Sequence, residues 1–163
     1  MKLLVLAAFL LASPALAQEP AGEATYQDDR SDATALIQSF YNAINRHELT
    51  RAFSYYGEPE AGAEAQAFQD FVAGYSDTDF VTLLTGDETS EGAAGSIYTS
   101  VPVAIDALGT DGTHTQFSGC YTIRLVQPAN QSEPPYRPLH IEKGELEEAS
   151  GELTSLLPAS CAE

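Results

Sequence analysis

The spacing of apolar residues after residue 30 is that of amphipathic helices. A first stripe recurs every three or four positions and consists of Ala33, Leu36, Ile37, Phe40, Tyr41 and Ile44. Ser31 or Asp32, just before it, can accept hydrogen bonds from the free amide groups of a first helical turn. A second stripe runs from Leu49 to Tyr56 and stops at Gly57, and a third helix is predicted at about 60–73.

Beyond Asp79 the apolar pattern changes to an alternation of period two, which is typical of strands. A short apolar run at 80–85 predicts the first strand, and longer alternating runs at 97–105 and 117–125 predict two more. The residues Gly109-Thr110-Asp111-Gly112 between the two long runs tolerate the positive φ angles of a tight turn. These two strands are therefore predicted to pair antiparallel.

The remaining segments carry weaker signals. Residues 86–95 are acidic and small and are predicted to form a loop, whereas the prolines within 127–138 exclude a strand there. A last strand is predicted at 139–142, and the tail from Gly144 is expected to pack against the body of the protein. Helices followed by antiparallel strands predict an α+β fold, in which the N-terminal helices cover one face of a curved antiparallel sheet.

The N-terminus has the pattern of a secretory signal peptide. Lys2 supplies a positive charge, residues 3–12 form an apolar run too short to span a bilayer, and Ala15-Leu16-Ala17 provides the small residues of a cleavage site. Cleavage near Ala17 would place the mature chain in the periplasm or outside the cell, and we expect it to be soluble there.

The pattern divides the chain into three parts. Residues 1–17 are the predicted signal peptide. Residues 18–30 are rich in Pro, Gly, Glu and Asp without periodicity, which predicts a flexible leader. Residues 31–163 are predicted to form a single domain, because their number suffices for one core and leaves little room for a second.

The composition is strongly acidic, with 24 Asp and Glu against 7 Lys and Arg and a formal net charge of −17. Such a charge repels nucleic-acid phosphates and anionic lipid surfaces, so neither nucleic acid nor a membrane is an expected partner. The acidic runs at 77–79 and 142–148 lack the spaced ligands and the glycine of a calcium loop. No metal site and no cofactor is therefore predicted.

The chain has two cysteines, Cys120 and Cys161. In an oxidising compartment such a pair most simply forms a disulfide, which would tie the C-terminal tail to the middle of the chain. The alternatives are one buried and one exposed thiol, or a redox pair, although no CxxC motif is present. Neither cysteine has a histidine at the spacing of a zinc site.

A family resemblance rests on three stretches of sequence. The chain reads ALIQSFYNAIN at 35–45, ELTRAFSYY at 48–56 and Gly-Cys-Tyr at 119–121. The first two resemble the opening of the NTF2-like (cystatin-like α+β cone) superfamily, and the third is similar to a strand of exported bacterial proteins of unknown role. The resemblance covers about 31–142 and implies a cone whose mouth can bind a small apolar molecule.

Eight tyrosines without a tryptophan give the chain side chains that combine an apolar ring with a polar tip. Within the implied cone, Tyr41, Thr99 and Tyr121 share a side with the inward aliphatic residues and are the candidate pocket residues. Isomerases of the superfamily place an aspartate base opposite tyrosine and acid donors. The inward strand positions predicted here carry no carboxylate, so no catalytic residue is assigned.

The sequence therefore favours an exported binding or accessory module that holds a small apolar ligand. One alternative is an isomerase- or lyase-like enzyme that acts on a small apolar substrate. Another is an interaction domain that forms a homodimer or binds a protein partner through outward residues such as Tyr98, Ser100 and Pro102.

Overall fold

The structure is a computed structural model that describes residues 24–58 and 62–161. The predicted signal peptide at 1–17 lies outside the described residues, as does the leader up to residue 23. No helix in the described part of the chain is long and apolar enough to cross a membrane.

Three helices precede the sheet, as the apolar stripes predict. They are α1 (Ala33–Asn45), α2 (Leu49–Phe53) and α3 (Glu64–Tyr75). Asp32 caps α1, because its Oδ1 accepts a hydrogen bond of 2.7 Å from the amide of Ala35. The predicted helical order is confirmed, although α2 ends earlier than its apolar stripe.

Five strands form one antiparallel sheet that is not closed. The strands are β1 (Thr78–Thr85), β2 (Thr89–Ala93), β3 (Ser96–Gly109), β4 (His114–Val126) and β5 (His140–Ala149). The order is β1-β3-β4-β5, and β2 pairs with the first residues of β3. A short 3-10 turn (Pro128–Asn130) precedes β5, and a short helix, α4 (Leu153–Leu156), follows it. The α+β class is confirmed.

Two predicted boundaries were wrong. β2 lies in the segment 86–95 that we predicted to be a loop. Its residues are all exposed, so it shows no apolar alternation, and the positive φ angles of Ala94 and Gly95 form the turn that pairs it with β3. β5 extends to Ala149, well beyond the predicted end at 142, because it pairs with β4 along this length. A register shift at Thr122/Ile123 interrupts the alternation of its inner residues, so the sequence pattern does not show this length.

A proline interrupts one edge of the sheet. β1 and β2 pair consecutively with the same edge of β3 and leave a gap opposite Pro102, which has no N–H to offer a partner strand. The amide of Gly86, within the gap, donates a hydrogen bond of 2.8 Å to the carbonyl of Pro102. The break between β1 and β2 therefore follows from one residue of β3.

The core lies between α1 and one face of the sheet, which we call the inner face. α1 contributes Ala33, Leu36, Ile37, Phe40, Tyr41, Ala43 and Ile44, and the strands contribute Val81, Val101, Val103, Ile105, Tyr121, Ile123 and Ile141. These residues are buried apolar or aromatic groups, so their removal from water stabilises the packing of helix on sheet.

The C-terminal tail covers the opposite, outer face of the sheet. Cys120 of β4 and Cys161 form the predicted disulfide. The Ser118 hydroxyl donates a hydrogen bond of 2.6 Å to the carbonyl of Leu156. Pro102 is fully buried. The interaction-domain alternative assumed that Pro102 was open to a partner, and this part of the outer face is not.

Residues 24–30 differ from the flexible leader that we predicted, because they form a strap that is hydrogen-bonded to the helices. Asn42 of α1 donates to the carbonyl of Thr25 at 2.7 Å. The amide of Asp29 donates to the Ser39 hydroxyl at 2.8 Å, and the Tyr55 hydroxyl donates to Asp28 at 2.7 Å. The composition of this segment gave no sign of these partners, which α1 and the α2 turn provide.

Removing the disulfide should loosen the tail. We expect the double variant Cys120→Ser/Cys161→Ser to lose about 2–4 kcal/mol of unfolding free energy, because the unfolded chain regains freedom. Urea unfolding with and without a reductant measures this. The reductant should lower the stability of the wild-type protein to that of the variant and leave the variant unchanged. A wild-type protein insensitive to complete reduction would contradict the expectation.

The strap should make stability depend on pH through Asp28. The hydrogen bond from Tyr55 lowers the pKa of Asp28. The stabilisation by this hydrogen bond is therefore fully present above the ordinary pKa of an aspartate, and it is lost as the pH falls through the lower pKa of Asp28 in the folded protein. Asp28→Asn should cost about 1 kcal/mol near pH 7, and this cost should shrink as the pH falls through the folded pKa of Asp28. Urea unfolding over this pH range tests it, with Asp79→Asn as the charge-matched control. An Asp28→Asn deficit that stays constant with pH would rule this out.

Candidate functional site

A pocket of about 920 Å³ opens at the end of the sheet where the β3–β4 hairpin turns. α1, the C-terminal end of α3 and strands β1, β3, β4 and β5 surround it. Its lining consists of Tyr41, Gly74, Tyr75, Asp77, Thr78, Val81, Ile105, Ala107, Leu108, Gly109, Thr110, Asp111, Thr113, Thr115, Phe117, Leu146 and Glu148. The volume lies in the range of small-molecule sites.

The pocket exists because the sheet is longer than the helix that covers it. α1 has 13 residues and is therefore about 20 Å long, whereas β3, with 14 residues, spans about 46 Å. Inner-face residues beyond the reach of α1, such as Ala107, Phe117 and Leu146, are only partly buried. They form apolar walls around a space that the helices leave open.

Tyr41 of α1 lies at the floor of the pocket and contacts a second tyrosine. Its hydroxyl oxygen is 2.7 Å from that of Tyr121 on β4. Gly144 stands opposite Tyr121 on β5, and a Cβ at Gly144 would lie 2.6 Å from the Tyr121 ring. The glycine therefore gives the ring room to lie across β5 and to meet Tyr41.

Either hydroxyl could donate this hydrogen bond, and access to the pocket favours one direction. Both tyrosines are 2% exposed, but Tyr41 lines the pocket and Tyr121 does not. Among the described residues, the Tyr41 oxygen is the only hydrogen-bond partner of the Tyr121 hydroxyl. If Tyr121 accepted instead, its own proton would be buried without a partner, at a cost of about 1–3 kcal/mol. We therefore infer that Tyr121 donates to Tyr41, which leaves the Tyr41 proton for the pocket.

Tyr75, near the end of α3, provides a third hydroxyl in this region. Its ring packs on Phe71 and Phe40, at centroid distances of 5.0 and 6.2 Å, and it lines the pocket. Burial raises the pKa of Tyr41, Tyr75 and Tyr121. All three phenols therefore stay protonated at neutral pH and act as hydrogen-bond donors, not as bases.

Three exposed carboxylates surround the mouth of the pocket. Asp77 follows α3, Asp111 lies in the hairpin turn, and Glu148 faces inward from β5 opposite Phe117. A backbone hydrogen bond from Thr113 lowers the pKa of Asp111, so this group is ionised at neutral pH. The mouth is therefore negatively charged.

Sequence analysis missed Glu148 as an inward carboxylate. The predicted last strand ended at residue 142, and the register shift leaves Glu142 as an extra residue in β5, which interrupts the alternation of its inner positions. The alternation of Leu146 and Glu148 along β5 was the available signal. Glu148 is exposed and, within the described ranges, makes no hydrogen bond or ion pair that would hold it as a base.

The structure brings together two of the three candidate pocket residues. Tyr41 lines the pocket, and Tyr121 lies directly beneath it. Thr99 is on the inner face as predicted but far along β3, where its hydroxyl is 2.8 Å from that of Ser90 on β2. It does not line this pocket.

A second pocket, of about 840 Å³, lies near the opposite end of the sheet. Both of its arginines already pair with carboxylates of the same pocket: Arg124 lies 3.4 Å from Glu142, and Arg137 lies 3.9 Å from Glu58. In the part of the chain that is described, no group of three His, Cys, Asp or Glu residues could hold a metal ion. The pocket at Tyr41, which combines apolar walls with an available donor, is therefore the better candidate site.

The direction of the tyrosine hydrogen bond predicts an asymmetry between two variants. Tyr41→Phe should lower the unfolding free energy by about 1–3 kcal/mol, because it leaves the buried Tyr121 proton without an acceptor. Tyr121→Phe should cost about 1 kcal/mol less than Tyr41→Phe, since the Tyr41 hydroxyl can still reach the pocket. Urea unfolding of both variants measures the difference. Equal losses, or the reverse order, would contradict the assigned direction.

No family model matches the chain, and no curated protein matches its sequence.

Proposed function

We propose that the protein is a binding module that holds a small, largely apolar molecule in the Tyr41 pocket. The observation that carries the proposal is a protonated, buried Tyr41 hydroxyl that lines a pocket with apolar walls. Donation from Tyr121 to Tyr41 would leave the Tyr41 proton for a ligand. A ligand with a carbonyl or another hydrogen-bond acceptor would satisfy this proton, while its apolar body would pack on the walls.

The proposal extends to the family and the compartment. We infer an NTF2-like relationship from the helical sequence 35–45, from three helices before an antiparallel sheet, and from a pocket at one end of that sheet. The Cys120–Cys161 disulfide favours an oxidising compartment, and this supports export after cleavage near Ala17.

A fluorescent ketone tests the binding site directly. Prodan, a neutral naphthyl ketone, should bind saturably with a blue-shifted emission, because it moves from water into an apolar pocket. Ala107→Phe should weaken this binding on the order of tenfold, since the new ring occupies the pocket. Thr82→Phe adds the same ring at an exposed position outside the pocket and should leave binding unchanged.

The role of the Tyr41 hydroxyl is tested with the same probe. Tyr41→Phe should weaken prodan binding about three- to tenfold, the loss expected for one neutral hydrogen bond. N-phenyl-1-naphthylamine has no carbonyl and should bind both proteins equally. Thermal unfolding of each variant confirms that it is folded. The proposed function would be overturned if neither probe bound saturably, or if Ala107→Phe bound prodan as tightly as the wild-type protein does.

A further inference from the structure

We propose that the Tyr41 pocket selects molecules with a hydrogen-bond acceptor at one end and a positively charged amine at the other. This inference rests on the proposed function and adds the chemical class of the ligand. The acceptor end would meet Tyr41 at the floor, and the amine would lie among Asp77, Asp111 and Glu148 at the mouth.

The lining of the pocket carries charge of one sign only. Its 17 residues include three carboxylates and no Lys, Arg or His. The carboxylates come from three separate elements, namely the α3–β1 turn, the β3–β4 hairpin and β5. The amide of Thr110 donates a hydrogen bond of 2.9 Å to the carbonyl of Asp77, which ties two of these elements together. An anion would meet this negative charge on entry, whereas a cation would be attracted.

Among the described residues, no Lys or Arg is left without a carboxylate partner to neutralise the mouth. Each described Lys and Arg side chain pairs with a carboxylate elsewhere: Arg30 with Asp28, Arg46 and Arg51 with Glu48, Arg124 with Glu142, Arg137 with Glu58 and Lys143 with Glu145. Within the described residues, the carboxylates of Asp77 and Glu148 have neither an ion pair nor a hydrogen bond. They are available to a ligand.

The two ends of the pocket differ in solvent access, and this separates their roles. Tyr41, Val81 and Ile105 at the floor are buried, while Asp77, Asp111 and Glu148 are exposed. A charged amine at the mouth stays hydrated and avoids the large cost of burying a charge. The acceptor at the floor would accept a hydrogen bond from the Tyr41 hydroxyl, which lines the pocket.

Three ligands with one common body test the inference. They are 6-acetyl-2-naphthalenemethylamine, the corresponding methanol and 6-acetyl-2-naphthoate, which place a cation, a neutral group and an anion at the same end. By fluorescence titration, the amine should bind about three- to tenfold more tightly than the alcohol, and the carboxylate more weakly than both. The preference should shrink in 1 M salt, where the Debye length falls to about 3 Å.

Charge-matched variants locate the preference. Asp77→Asn/Glu148→Gln should bring the affinity for the amine close to that for the alcohol and leave the affinity for the alcohol unchanged. Glu147→Gln is the control, because Glu147 is on the same strand but on the outer face, opposite Ser118. It removes a neighbouring negative charge without changing the pocket.

The outcomes separate the two proposals. If the alcohol fails to bind, the proposed function fails. If the alcohol binds and the amine binds no more tightly, the pocket binds neutral ligands and the inference of a cationic ligand is overturned. Equal effects of Glu147→Gln and Asp77→Asn/Glu148→Gln would also overturn it, since the preference would then come from the net charge of the protein.

Discussion

The packing of α1 against the inner face of the sheet is the interaction on which the rest of the structure depends. One face of this 13-residue helix supplies about half of the buried core, and Phe40 and Tyr41 join it to Tyr121 of β4. Each methylene removed from water contributes about 0.8 kcal/mol, so a core of this size dominates the stability of the fold. The pocket lies where this contact ends, because β3 continues beyond the helix.

The polar groups within that contact determine the chemistry of the site. Two phenols in an apolar layer must satisfy each other, since a buried hydroxyl without a partner is costly. Only Tyr41 also reaches the pocket, so the arrangement leaves one donor at its floor. The carboxylates at the mouth are exposed to water, so they do not need a hydrogen-bond partner within the protein, and they act on a ligand through their charge.

The first and last segments of the described residues pack on opposite sides of the fold. The strap at 24–30 lies along α1 and the α2 turn, where it is held by hydrogen bonds to Asn42, Ser39 and Tyr55. The tail lies on the outer face over Pro102, where the Cys120–Cys161 bond fixes it. Both segments lack apolar periodicity, and both depend on partners that only the folded helices and sheet provide.

The sequence by itself determined what depends on local pattern: the three helices, the long β3–β4 hairpin, the pairing of the two cysteines and the inward side of Tyr41, Thr99 and Tyr121. For the helices, the hairpin and the inward residues, nearby residues or a simple period carry the physical cause, and for the cysteines it is that the chain has only two. The tertiary structure decided what depends on register and on distant partners. It added β2, extended β5 past its register shift, placed Glu148 in the pocket and separated Thr99 from Tyr41. The reason is that a pocket forms from residues on several elements, and their relative position is set by packing and not by the sequence of any one element.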